Sequence, residues 1–222
     1  MTLRYRCLLL DHDDTALDST ATIHHPAHVA AMAQLRPEQR AVDLEGFFLK
    51  NFHPGFQPFL RQELAFTEAE MEVEYATWRA FVERGRPHFY PGFLEALAAH
   101  KAQGGRFVVV SHSESDMIQR DYHRAGRDLL PDAIFGWEAG EGRRKPDPWP
   151  VAETLRRFGL VPEEVLVVDD LRPGILMAQA AGVPAVAAGW AHRLEPIRSY
   201  MAANTLGILE TVDDFAAFIL QS

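Results

Sequence analysis

Cys7 to Leu10 is an uninterrupted apolar run, and it ends abruptly in Asp11, Asp13 and Asp14, with Thr15 close behind. A short run without polar alternation reads as a strand covered on both faces. Its acidic end then lies where open α/β sheets bind their ligands, at the carboxyl edge of the strands. Like charges crowded together repel, and a metal cation is the simplest compensation. An acidic turn that merely ends the strand is the competing reading.

The same pattern recurs along the chain. Arg106 to Val110 is a second strand-like run, followed at once by Ser111, and Val165 to Val168 is a third, followed by Asp169 and Asp170. Ala133 to Phe135 and Val183 to Ala187 are shorter candidates. Helical patterns fall between them, over 92–103, 114–125, 148–158, 173–181 and 193–203, with Gly182 as a C-terminal cap. Thr211 to Leu220 reads as a last helix, with Thr211 as N-cap and Asp213 and Asp214 in its first turn. Strands alternating with helices predict a parallel sheet with right-handed crossovers, an α/β Rossmann-like core. All strand ends then face one side, so Asp11, Asp13, Ser111, Asp169 and Asp170 converge there. Lys145, in the loop before the 148–158 helix, can reach them. Taken singly, each has a plain structural reading: a helix N-cap for Ser111, a turn for the acids, a solvated surface for the lysine.

One stretch breaks the alternation. From 19 to 89 no strand is predicted, and helices are expected over 26–36, 38–50, 57–65 and 67–84. Thr67 to Glu70 carries a capping box, and Pro54-Gly55 forces a loop at Phe52 to Gly55. The expected division is therefore 1–18 with 90–222 as the α/β core, and 19–89 as an inserted α-helical domain. An insert that leaves beside a charged site is well placed to cover it. Phe47, Phe48, Phe52 and Phe56 read as the insert's core. His24, His25 and His28, without acidic or cysteine partners at ligand spacing, read as surface or hinge residues. Arg172 is expected to face solvent, and His12 to contribute only its backbone.

The chain has 22 Lys and Arg against 31 Asp and Glu, a formal net charge of −9. That balance argues against nucleic acid or an anionic membrane as the main partner. The single cysteine, Cys7, excludes an intramolecular disulfide and fits a reducing compartment. The apolar run after Arg4 and Arg6 is too short for a signal peptide or a membrane span. A cytoplasmic protein is expected.

Taken in order, Asp11-His12-Asp13-Asp14-Thr15, then Ser111, Lys145-Pro146, and Asp169-Asp170 followed by Gly174 resemble the four motifs of the haloacid dehalogenase superfamily. The helical insert between the first two motifs is similar to that of the subclass with phosphoglycolate phosphatase-like enzymes and β-phosphoglucomutase. By this resemblance the protein is a Mg²⁺-dependent phosphatase acting on a small phosphorylated metabolite. Asp11 is implied as nucleophile and Asp13 as general acid and base. Ser111 and Lys145 are implied as contacts to the phosphoryl group. Mg²⁺ would be held by the Asp11 and Asp170 carboxylates and the Asp13 main-chain carbonyl, with Asp169 beside them. Asp14 stands where the family often has Gly and is expected to shape the turn, and Thr15 to brace the loop. His112, Lys50 and His53 are candidate substrate contacts. Asp13 also speaks against dehalogenation, whose leaving group needs no proton. A sugar phosphomutase is the nearest alternative, and a non-catalytic phosphate-binding protein a more distant one. A receiver domain fits poorly, because its acidic pair follows the first strand and it lacks such an insert.

Overall fold

The computed structural model describes residues 3–126 and 129–221. Its strands are β1 (Cys7–Leu10), β2 (Leu17–Asp18), β3 (His88–Phe89), β4 (Arg106–Val110), β5 (Ala133–Phe135), β6 (Val165–Asp169), β7 (Ala185–Ala188) and β8 (Ile208–Leu209). The helices are α1 (His25–Leu35), α2 (Leu44–Phe52), the single turn α3 (Phe56–Pro58), α4 (Glu68–Arg84), α5 (Phe93–Ala102), α6 (Ser115–Arg124), α7 (Trp149–Phe158), α8 (Arg172–Ala181), α9 (Glu195–Asn204) and α10 (Val212–Ile219). Wider π-type turns lie at Thr20–His24 and Phe59–Glu63.

The chain divides into two compact units, one of residues 1–17 with 89–222, the other of residues 18–88. In the first, six strands form one sheet in the order β5-β4-β1-β6-β7-β8, with every adjacent pair parallel. β1 sits between β4 and β6, with Leu10 opposite Val109 on one side and Val168 on the other. This register brings the ends of the three strands level, so Asp11, Ser111 and Asp169 leave the sheet along one edge. Leu8, Leu10, Phe107, Val109, Leu166 and Val168 share one face and pack with Phe93, Leu97, Ile118, Tyr122 and Phe215 of the helices. Their strand neighbours Cys7, Leu9, Val108 and Val167 point to the other face and are equally buried. Burial of both faces is why these strands carry no polar alternation.

The second unit is built on helices. Thr67 caps α4 through the expected capping box, and Met32, Phe59, Leu60, Phe66 and Met71 form a small apolar core, with Phe56 packed against it. Phe47 and Phe48 are also buried. Three expectations are corrected here. The helix expected over 38–50 starts only at Leu44, because the Asp43 side chain accepts the Gly46 N–H and caps it there. His28 is not a surface or hinge residue: it is buried against the rings of Phe47, Phe56 and Phe59. The stretch thought free of strands ends in His88–Phe89, which pairs with Leu17–Asp18. In the sheet, β8 was not foreseen, and β7 begins at Ala185 rather than Val183. No helix among the described residues is long and apolar enough to cross a membrane.

Candidate active site

Asp11 follows β1 directly, and its N–H donates to the Val168 carbonyl at 3.0 Å, so the sheet ladder itself places it. The chain then turns sharply. Asp14 takes the left-handed conformation, with φ of 59°, and donates its N–H to the Leu17 carbonyl at 2.8 Å. Asp tolerates that conformation better than most residues, which is why it can stand where glycine is common. His12 is not confined to a backbone role. Its imidazole is buried, packs against Tyr122 and Phe89, and lies 3.5 Å from Asp121.

Lys145 is buried at the centre of the strand edge. Its Nζ lies 2.7 Å from Asp11 Oδ1 and 2.7 Å from Asp169 Oδ2. Burial alone would drive the ammonium toward neutrality. The charges and hydrogen bonds of the two carboxylates outweigh it and hold the group above the ordinary lysine value. Asp169 is fixed further by the Leu171 N–H at 2.8 Å. Gly174 explains how Asp169 fits: a Cβ there would lie 2.0 Å from its Oδ2. Asp170 accepts from Thr15 Oγ1 at 3.2 Å, so Thr15 ties the first loop to the β6 end.

Asp11, Asp169 and Asp170 bring carboxylate oxygens within 4.8 Å of one another. Asp169 and Asp170 are both held above the ordinary carboxylate value, first by burial and then by repulsion from their acidic neighbours, against the pull of Lys145. One ammonium facing three carboxylates leaves negative charge uncompensated. Asp170 Oδ2 is also buried without a hydrogen bond, and His192 Nε2 approaches it only to 3.6 Å. A buried, all-oxygen, under-neutralised donor set with an orphaned oxygen fits a hard divalent cation such as Mg²⁺.

The Asp13 side chain lies outside that trio. Its Oδ2 accepts from Ser113 Oγ at 2.6 Å and from Ser111 Oγ at 3.3 Å. Ser111 does not cap the following helix, whose N-cap is Glu114. Ser113 was not singled out in the sequence: it lies two residues past Ser111 in the loop after β4, where no pattern marks it. His112 is exposed, and its Nε2 is 2.9 Å from the Lys145 carbonyl. Arg172, expected in solvent, lies over the Tyr200 ring, with its Nε buried. In the helical unit, Lys50 pairs with Glu63 and lies over the Phe59 ring, and His53 is exposed beside α2.

Comparison with known proteins identifies the family. Residues 5–182 match the profile of the haloacid dehalogenase-like hydrolases. A phosphoglycolate phosphatase of Rhodospirillum rubrum is 33% identical over 130 residues, which cover 58% of this chain and 50% of that protein. The chain thus spans about half the length of this relative, and 58% of a second from Caldanaerobacter subterraneus. A phosphoglycolate phosphatase of Aquifex aeolicus is 26% identical over 84% of this chain and 86% of its own. Among solved structures, CbbY of Rhodobacter sphaeroides in complex with phosphate superposes with a TM-score of 0.73 at 19% identity, covering 93% and 94% of the two chains. A HAD family hydrolase of Deinococcus radiodurans with bound phosphate and sodium gives 0.72 at 20% identity, covering 99% of each. At such identity these two likenesses speak for the fold alone. With the four motifs aligned on one sheet edge and the family profile spanning most of the sequence, the chain belongs to the haloacid dehalogenase-like hydrolases.

Proposed function

We propose that the protein is a Mg²⁺-dependent phosphatase that hydrolyses a small phosphate monoester through an aspartyl-phosphate on Asp11. The observation that carries this reading is the Asp11–Lys145–Asp169 bridge beside the orphaned oxygen of Asp170. A carboxylate is a weak nucleophile, and its target here is an anion, so the site must supply positive charge. Mg²⁺, held by the Asp11, Asp169 and Asp170 carboxylates and the Asp13 main-chain carbonyl, would supply the charge that Lys145 alone does not. Asp11 attacks phosphorus, forming a carboxylate O–P bond as the ester P–O bond breaks. Asp13 gives its proton to the departing alkoxide. It later takes a proton from the water that cleaves the aspartyl-phosphate, which frees phosphate and restores Asp11. Lys145 keeps Asp11 oriented and offsets charge on the phosphoryl oxygens, and Ser111 donates to them.

We assign the helical unit, residues 18–88, as the domain that selects the leaving group, with Lys50 and His53 as its candidate contacts. The phosphoglycolate phosphatases among the relatives make phosphoglycolate the first ester to try. The lone buried Cys7 suits a reducing cytoplasm. The test is phosphate release from p-nitrophenyl phosphate and a panel of metabolite esters with and without Mg²⁺. Release that requires Mg²⁺ is expected. No release across the panel defeats the reading.

A further inference from the structure

We propose that Ser113 is a positioning residue for Asp13: its hydroxyl holds the Asp13 carboxyl group in place for proton transfer to the leaving group. The inference rests on the phosphatase reading and deepens it.

Three bonds make Ser113 a rigid support. Its Oγ donates to Asp13 Oδ2 at 2.6 Å, a short hydrogen bond. Its N–H donates to Ser111 Oγ at 3.0 Å, and its carbonyl accepts the Trp137 N–H at 2.9 Å. The side chain is buried, so water does not compete well for the bond. The neighbouring backbone is equally constrained. A Cβ on Gly136 would lie 2.8 Å from the Ser113 carbonyl oxygen, so the strand-end loops meet with nothing between them.

The bond pattern also divides labour between the two serines. Ser111 Oγ accepts from Ser113 N–H and reaches Asp13 at 3.3 Å, a long contact it can give up to a phosphoryl oxygen. Ser113 Oγ makes the short bond, so it keeps hold of Asp13 when Ser111 turns away. Asp13 opens the tight turn that continues through Asp14, its backbone bridged to Leu17, and its side chain still has rotamers to lose. An acid that strays by about 1 Å loses a large share of its catalytic value.

General-acid help matters most for leaving groups that make strong bases and hardly at all for good ones. Ser113→Ala is therefore expected to lower kcat/KM for an alkyl phosphate roughly tenfold or more, and for p-nitrophenyl phosphate less than about twofold. Ser113→Thr keeps the hydroxyl and should restore the alkyl rate. Ser113→Cys, a weaker donor, should fall between, and serves as the second probe if the alanine variant folds poorly. In an Asp13→Ala background, Ser113→Ala should cost nothing further. A merely structural serine would lower both substrates alike, and that result, or full alkyl activity in Ser113→Ala, overturns the inference while leaving the phosphatase reading intact. A parent protein that hydrolyses neither ester defeats that reading and the inference with it.

Discussion

The two units of this chain bury ionisable groups in opposite ways. At the edge of the parallel sheet, Asp11, Asp169, Asp170 and Lys145 are buried together, each within reach of another. In the helical unit, His28 and Glu74 are each buried outside any such cluster. His28 lies among phenylalanines with neither ring nitrogen hydrogen-bonded, and Glu74 faces inward from α4. Clustered charges raise each other's energy unless a ligand completes them, which is the mark of a working site. Buried groups outside such a cluster are pushed toward the neutral form and behave as awkward pieces of core.

The sharpest way to break that comparison is Asp11→Asn. If the cluster is chemical, turnover should fall by on the order of 10³-fold or more. The fold should survive, and Tm without added metal should hold or rise, since one of three repelling charges is gone. Loss of folding together with activity would mean that Asp11 is structural. Survival of activity would mean that the nucleophile is elsewhere.

His28 and Glu74 make a prediction in pH rather than in rate. Burial, aided by His25, lowers His28 from 6.5 to about 4. Below pH 6.5 the unfolded chain takes up a proton that the folded chain refuses, so this contribution is complete above pH 6.5 and is lost as pH falls toward 4. Burial raises Glu74 from 4.5 to about 7, with His24 pulling the other way. Its contribution is complete below pH 4.5 and is lost as pH rises toward 7. Each is worth roughly 3 kcal/mol across its window, with opposite sign, so the two largely cancel between pH 4.5 and 6.5. Urea melts of single variants should uncover them. Relative to the parent, Glu74→Gln should gain stability as pH rises through that window, and His28→Leu should lose it. Differences that stay flat with pH would show that neither group is buried in the neutral form.

Gly174→Ala tests how tightly the cluster is packed. In an exposed helix, alanine would stabilise by about 1 kcal/mol. Here its methyl group would collide with the Asp169 carboxylate, and Asp169 in turn holds Lys145. A tenfold or larger loss of kcat, on the order of 1 to 2 kcal/mol, is expected with a lowered Tm. An alanine variant with raised Tm and full activity would show that Asp169 has room to move.

The same contrast governs what the sequence disclosed. β1, β4 and β6 were legible because strands buried on both faces are continuous apolar runs, and their ends named Asp11, Ser111 and Asp169 directly. Ser113 was hidden because its role depends on a 2.6 Å approach across two loops, which no spacing encodes. β8 is only two residues long, too short to show a period. The helical unit was read correctly as helical but poorly in detail. Its α2 begins where Asp43 caps it rather than where apolar residues begin, and His28 looked like a surface residue because a histidine in a phenylalanine cage leaves no pattern in sequence.

Lys50 offers the finest test, because it is charged but belongs to neither class. Its ammonium pairs with Glu63 and rests over Phe59, yet about a third of the side chain is exposed (32%). Solvent screens such a pair, so Lys50→Ala should cost about 0.5 kcal/mol of stability and leave kcat on p-nitrophenyl phosphate unchanged. The informative quantity is KM for the cognate ester once the panel identifies it. If Lys50 contacts the leaving group, KM should rise severalfold for that ester and stay constant for p-nitrophenyl phosphate. If KM is constant for both, Lys50 is not a contact to the leaving group.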